Sequence, residues 1–163
     1  MLLQATHRTP VGELFLVSDE HILLAAGFHG HQDLIARMDK ADSKREFKKI
    51  KQIPIISDLI EDYFMGDLAA LGGIKVRQPG AEFSQEVWKA MRKIPAGKTW
   101  SYADLAERSG SPGAVRAAGS ACARNLIAPI IPCHRVVKSG GALGNYGYGL
   151  KIKEYLLRHE GAL

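Results

Sequence analysis

The 163-residue chain is poor in cysteine, holding only Cys122 and Cys133. Two cysteines without a C-x-x-C pair exclude a disulfide framework and a paired-thiol redox motif, and a reducing cytoplasm is the expected setting. Long hydrophobic runs are also missing. Nothing approaches the ~20 apolar residues that a bilayer span needs, so no membrane partner is expected. The opening stretch, Met1 to Glu13, lacks the apolar core and small-residue cleavage site of a signal peptide. No internal repeat or low-complexity tract breaks the chain. Acidic charge is scarce in one half only: residues 79–163 hold 12 Lys/Arg and 6 Asp/Glu, a net of +6, whereas residues 1–78 hold 10 and 11, a net of −1.

What is present is ordinary for a globular protein: 46% hydrophobic and 24% charged residues, in a chain long enough to bury a core. The basic second half fits either a polyanion partner, most simply nucleic acid, or a solvated surface. The first part, residues 1–78, opens on a hairpin pattern, Leu14–Val17 and Ile22–Ala26 around a polar turn. A helix over Asp33 to Met38 and an exposed charged stretch, Ala41 to Lys51, follow. A second helix is predicted from an N-cap at Ser57 to a stop at Gly66. His29 and His31 form a polar loop, two ligands being too few for a metal site. Gly72 to Gly80 reads as the link, with Ile74 to Arg77 able to form one more strand.

The second part, residues 79–163, reads helical. Phe83 to Ile94 is one helix, broken by Pro95-Ala96-Gly97. Ser101 and Asp104 form a capping-box variant for the next, which Gly110 ends. Ser111-Pro112 restarts a helix running to about Arg124. Two short helices joined by a tight turn match a helix-turn-helix, whose second member enters a DNA groove. The many small residues of that helix suit close approach to DNA, with Arg116 and Arg124 as positive ends, and suit equally a helix packed inside its own protein.

Pro132-Cys133-His134-Arg135 carries the candidate chemistry. Only a thiolate is nucleophilic, and a neighbouring base or cation must favour it. Adjacent side chains rarely face each other, and a Cys-His pair is often structural. Here it sits in a stiff apolar frame, Ile130-Ile131-Pro132 before and Val136-Val137 after, which suits a pre-positioned group.

These residues resemble the active-site signature of the O6-alkylguanine-DNA alkyltransferases, also called methylated-DNA–protein-cysteine methyltransferases. The likeness extends over most of the second half. It runs through Phe83, Val87-Trp88, Ile94 to Gly97, Ser101 to Ala106, Arg116 to Gly119, Asn125, Gly144 to Tyr146, Lys153 to Leu157 and His159 to Gly161. In the first half, Thr9 to Gly12 and the strand after it match best. The resemblance implies an α+β fold: a small ribonuclease H-like domain with an antiparallel sheet and helices, then a mostly helical domain with a helix-turn-helix.

It also implies a function and residue roles. The partner is double-stranded DNA carrying O6-alkylguanine, and O4-alkylthymine as a second lesion. The protein is a monomer, and no metal or organic cofactor is needed because guanine is the leaving group. Cys133 would accept the alkyl group, His134 would act on the thiol through a water, and Glu160 would orient His134. Asn125 would be a hinge beside the active-site segment. Tyr102 and Arg116 would extrude the nucleotide, with Ala117, Gly119, Ser120 and Arg135 as further DNA contacts. Val136, Tyr146, Gly147 and Lys153 would line the substrate pocket. Gly147 stands where many members have Ser, and Tyr155 where many have Trp. The cysteine zinc site of some members cannot be built, since both cysteines lie in the second half.

Overall fold

The computed structural model describes residues 1–163. The chain divides into two compact units: Met1–Pro79 with Leu126–Ile130, and Gly80–Asn125 with Ile131–Leu163. No helix is long and apolar enough to cross a membrane.

The first unit is built on a five-stranded sheet. Its strands are β1 (Leu2–Thr9), β2 (Gly12–Asp19), β3 (Ile22–Gly27), β4 (Phe47–Lys49) and β5 (Lys75–Val76), in the order β4-β1-β2-β3-β5. The sheet is not wholly antiparallel, as expected from sequence. The three central strands form a meander, but both outer pairings, β1 with β4 and β3 with β5, are parallel. Long connections cause this: β4 and β5 return only after helices, so their direction is not set by a hairpin. The β2–β3 hairpin is present as expected. Residues 126–128 extend the edge begun by β5, since Ile127 bridges Ala26 in parallel and Ala26 exchanges backbone bonds with Leu126 and Ala128.

Alternation along β1 assigns its two faces. Leu2 joins Val17, Leu24, Ala25, Leu126 and Leu34 of α1 (His31–Arg37) in one apolar cluster. His7, of opposite parity, meets α3 (Ile56–Phe64), where its Nε2 lies 2.8 Å from Ser57 Oγ. Ser57 is therefore not the N-cap. It sits inside the helix, and its hydroxyl accepts the Ile53 N–H at 2.7 Å. Ile55 holds the cap position at φ 72°. Gly66 does end α3, at φ 117°. The charged stretch after Ala41 is not uniformly exposed. It contains α2 (Lys40–Ser43) and β4, and Asp42 is buried where Arg45 and Arg77 bond its carboxylate.

The second unit holds α4 (Glu82–Met91), α5 (Tyr102–Arg108), α6 (Val115–Ala123) and α7 (Leu150–His159), with a two-stranded parallel pair, β6 (Trp100–Ser101) and β7 (Val136–Val137). Ser101 caps α5 in a full capping box: its Oγ accepts from Asp104 N–H at 3.0 Å, and Asp104 Oδ2 accepts from Ser101 N–H at 3.0 Å. Gly110, at φ 93°, closes α5 with the paired backbone bonds of a Schellman turn. The next helix starts later than the sequence suggests. Ser111 and Pro112 lie in a turn closed by Ala114 N–H to Ser111 C=O, and α6 begins at Val115.

Candidate active site

Cys133, His134 and Arg135 form one turn of 3₁₀ helix between Pro132 and β7. With three residues per turn, successive side chains leave in directions ~120° apart. Cys133 stays partly exposed, while His134 and Arg135 turn inward. Adjacency in sequence thus gives three different environments.

The partner for the inward pair comes from the end of α7. Glu160 is its C-cap. Gly161, at φ 79°, reverses the chain through bonds from Gly161 N–H to Arg158 C=O and from Ala162 N–H to Leu157 C=O. Glu160 is 4% exposed, and its carboxylate meets His134 Nε2 at 2.9 Å, Arg135 Nε at 2.9 Å and Arg135 Nη2 at 2.8 Å. Arg135 Nη1 donates to Ile94 C=O at 2.7 Å. Gly97, at φ 90°, is required where that turn meets α7, because a Cβ there would lie 3.1 Å from the Glu160 carbonyl oxygen.

Burial by itself would raise the Glu160 carboxyl, but the bonds from His134 and Arg135 outweigh it and hold the group well below the usual carboxylate range. Burial pushes His134 below its ordinary value, and Glu160 only partly offsets this. A neutral His134 facing an ionised Glu160 carries its hydrogen on Nε2. Nδ1 is then an acceptor, and it is buried with no protein partner.

Asn125, buried just beyond α6, donates from Nδ2 to Ile131 C=O at 2.8 Å and to Cys133 Sγ at 3.4 Å. It ties the end of α6 to the segment that carries the nucleophile candidate. Lys153 is fully buried on α7. It donates to Val136 C=O at 2.7 Å, to Asn145 C=O at 3.3 Å, and to Leu143 C=O. Burial lowers its pKa, while Cys133 and Cys122 oppose that shift. Lys153 is thus a clasp for the segment that carries Tyr146, rather than an open pocket wall. Val136 is also fully buried, in β7. Tyr146 is half-buried, edge-on to Tyr148 with centroids 5.8 Å apart, and Gly147 is exposed.

Helix α6 answers the question its composition raised by using both faces. Ala118, Ala121 and Cys122 are buried, and Trp88 Nε1 donates to Ala121 C=O at 3.0 Å, an approach the small residues permit. Arg116, Ala117 and Ser120 are exposed on the other face, with Gly119 half-buried between. Arg124 is exposed but donates to Ser84 Oγ at 2.9 Å. Tyr102 is half-buried against the glycines of two segments. A Cβ at Gly119 would lie 3.8 Å from its ring, and one at Gly144 3.5 Å from its hydroxyl. Cys122 is pushed up by burial and then by the Cys133 charge, with Lys153 opposing, which disfavours its nucleophilic thiolate form.

Arg135 departs from its expected place. It is 7% exposed and spends its guanidinium on Glu160 and Ile94, so it does not face outward as a DNA contact.

The chain is similar to proteins of one family. Residues 82–162 match the family model described as the DNA-binding domain of 6-O-methylguanine DNA methyltransferase. The methylated-DNA–protein-cysteine methyltransferase of Salmonella typhimurium is 37% identical, over 99% of this chain and 97% of its own. That of Methanosarcina acetivorans is 38% identical, over 97% of each. The solved O6-methylguanine methyltransferase of Mycobacterium tuberculosis superposes with a TM-score of 0.80 at 31% identity, covering 99% of this chain and 94% of that one. Full-length similarity of this order, added to a buried His134–Glu160 pair beside a partly exposed Cys133, places the chain in the methylated-DNA–protein-cysteine methyltransferase family.

Proposed function

We propose that this protein repairs DNA by direct reversal, moving the alkyl group of O6-alkylguanine, and of O4-alkylthymine, onto its own Cys133. The observation that carries the reading is the Cys133–His134–Glu160 arrangement, with Asn125 donating to Sγ. Glu160 holds the Nε2 hydrogen, which leaves His134 Nδ1 to take the thiol proton through a bridging water. The thiolate attacks the alkyl carbon. An S–C bond forms, the C–O bond breaks, and its electron pair goes to guanine, which takes up a proton. Guanine is the leaving group, so the step calls on no metal or organic cofactor. The thioether is stable, so each molecule acts once.

Residues 79–163 are assigned to DNA binding and transfer, and residues 1–78 to a supporting domain of ribonuclease H-like type. Helices α5 and α6 act as a helix-turn-helix in the minor groove of double-stranded DNA, through Arg116, Ala117, Gly119 and Ser120. A relative, the M. tuberculosis protein, has been solved in complex with DNA. Chemistry at a base atom inside a duplex is blocked, so the nucleotide is flipped. Tyr102 displaces it and Arg116 fills the gap, while Tyr146 and Gly147 meet the extruded base. The protein works as a cytoplasmic monomer.

Intact-mass analysis after incubation with methylated duplex DNA tests this. One methyl group per molecule is expected, on Cys133 by peptide mapping, and none for Cys133→Ser. Alkylation of Cys122, or turnover with unmodified protein, would overturn the reading.

A further inference from the structure

Gln78 lies just after β5 and just before Pro79, where the leading stretch of the first unit ends. Strand β5 pairs with β3 as far as Leu23, and Arg77 N–H adds one more bond, to Leu23 C=O at 3.1 Å. Further along β3 the neighbour changes. Ala26 N–H donates to Leu126 C=O at 2.8 Å, and Ala128 N–H donates to Ala26 C=O at 3.1 Å. Gln78 joins these two neighbours of β3. Its side-chain Oε1 accepts the Leu126 N–H at 2.6 Å, as a carbonyl of an adjoining strand would. Leu126 is 7% exposed, and a buried N–H left without an acceptor is costly.

The Leu126 N–H shares one rigid peptide plane with the Asn125 carbonyl. Fixing that N–H therefore fixes the plane that follows the Asn125 Cα. On the other side, Asn125 N–H is held by Cys122 C=O at 3.1 Å. With both flanking peptides held, the Asn125 Cβ has one direction. Its Nδ2 is aimed at Ile131 C=O, 2.8 Å away, and at Cys133 Sγ, 3.4 Å away. We propose that Gln78 is a positioning residue for the transfer step: its amide oxygen sets the Asn125–Leu126 peptide, and so holds the Asn125 side chain to Cys133 and to the segment that carries it. Gln78 acts on the reaction through Asn125.

The proposal rests on the alkyl-transfer reading, and its own content is the coupling of Gln78 to Asn125. A misplacement of about 1 Å can cost ~10²-fold in rate, so a donor that steadies the sulfur needs a steady backbone beneath it. The coupling touches the maximal rate rather than DNA affinity. A role in stability alone would lower the melting temperature and leave the rate of the folded protein unchanged.

Gln78→Leu keeps the bulk of the side chain and removes the acceptor. Single-turnover transfer from methylated duplex DNA is followed by intact mass, well below the melting temperature. The saturated rate should fall by about tenfold to a hundredfold, with the half-saturating DNA concentration unchanged. Gln78→Glu keeps an oxygen acceptor at the same reach and should restore the rate. In an Asn125→Ala background, which keeps the thiol, Gln78→Leu should slow transfer by less than about twofold, because groups that act in series are not additive. Equal slowing with and without Asn125 would overturn the proposal. So would a Leu variant that reacts at the wild-type rate, a Glu variant as slow as the Leu one, or a change confined to half-saturation. If Gln78→Leu does not fold, Gln78→Ser takes its place with the same expectations, being too short to reach the amide yet leaving room for a water. A wild type that accepts no methyl group refutes the alkyl-transfer reading instead. NMR then decides the coupling: the Asn125 side-chain NH₂ resonances should shift in Gln78→Leu and not in Gln78→Glu, and resonances unmoved in both would refute it.

Discussion

Replacing Glu160 by Gln keeps the size of the side chain and removes its charge. Three donor contacts at 2.8–2.9 Å then meet one carbonyl oxygen and one NH₂ group. The amide can accept at one end only, and the Arg135 charge remains inside, without its counter-ion. Removing one partner of a buried pair costs about 3–5 kcal/mol. For a chain of this length that corresponds to a melting temperature lower by roughly 6–20 °C. The sign of the pH dependence follows from the depressed carboxyl. Its stabilisation is complete above the unfolded carboxylate value, about 4.3, and is lost as pH falls from there toward the folded value. The gap between wild type and variant should be steady from pH 7 to about pH 5, then close in acid. Transfer should slow by roughly 10²–10⁴-fold without vanishing, since the thiol remains. Calorimetry across pH, paired with intact-mass kinetics on methylated duplex, measures both. A Glu160→Gln protein that melts and reacts like the wild type would refute the account of the pair.

Arg116→Ala should react poorly with alkylated duplex but nearly normally with free O6-benzylguanine, because only the duplex must be opened; equal slowing on both would assign Arg116 to the fold. His134→Ala should slow both substrates, which single-turnover rates will show. Gly97→Ala places a methyl group 3.1 Å from the Glu160 carbonyl at φ 90°, so it should destabilise by more than about 1 kcal/mol in a denaturant titration. His7 is held below its ordinary value by burial, with Glu61 opposing. Its contribution to stability is present above about pH 6.5 and falls away as pH drops below that. His7→Gln should flatten that part of the pH–stability curve, and an unchanged curve would count against it.

Local signals were the most legible in the sequence. The Ser101–Asp104 capping box and the helix stops at Gly66 and Gly110 depend on residues a few positions apart, and all three are present. Signals that depend on distant chain were misread or silent. Ser57 has the chemistry of an N-cap, but His7, fifty positions earlier, draws its hydroxyl into the core. The sequence of strand β1 shows no clean apolar–polar alternation, because polar Gln4, His7 and Thr9 are buried as well as Leu2 and Ala5. Both parallel edge strands are short and charged, and their pairing is fixed by where the intervening helices return them. At the site, the residue types were legible from the family signature. The inward turn of Arg135 was not, because it depends on a 3₁₀ turn and on the cap of a helix twenty-five positions on.

The passage of the chain between α6 and Cys133 has a consequence for biosynthesis. After Asn125 the chain leaves the second unit for five residues, Leu126 to Ile130, and returns at Ile131 just before the 3₁₀ turn of Cys133 to Arg135. Those five residues are buried in the first unit, with Ile127 bridged to Ala26. Synthesis runs from the amino end, so the strand bearing Ala26 emerges about a hundred residues before its partner Ile127. The first unit can therefore form its sheet early and wait with one edge place open. A fragment beginning at Gly80 would carry the apolar Leu126–Ile130 segment with nothing to receive it. The amino-terminal half is then a template, laid down first, onto which the Leu126–Ile130 segment is later placed.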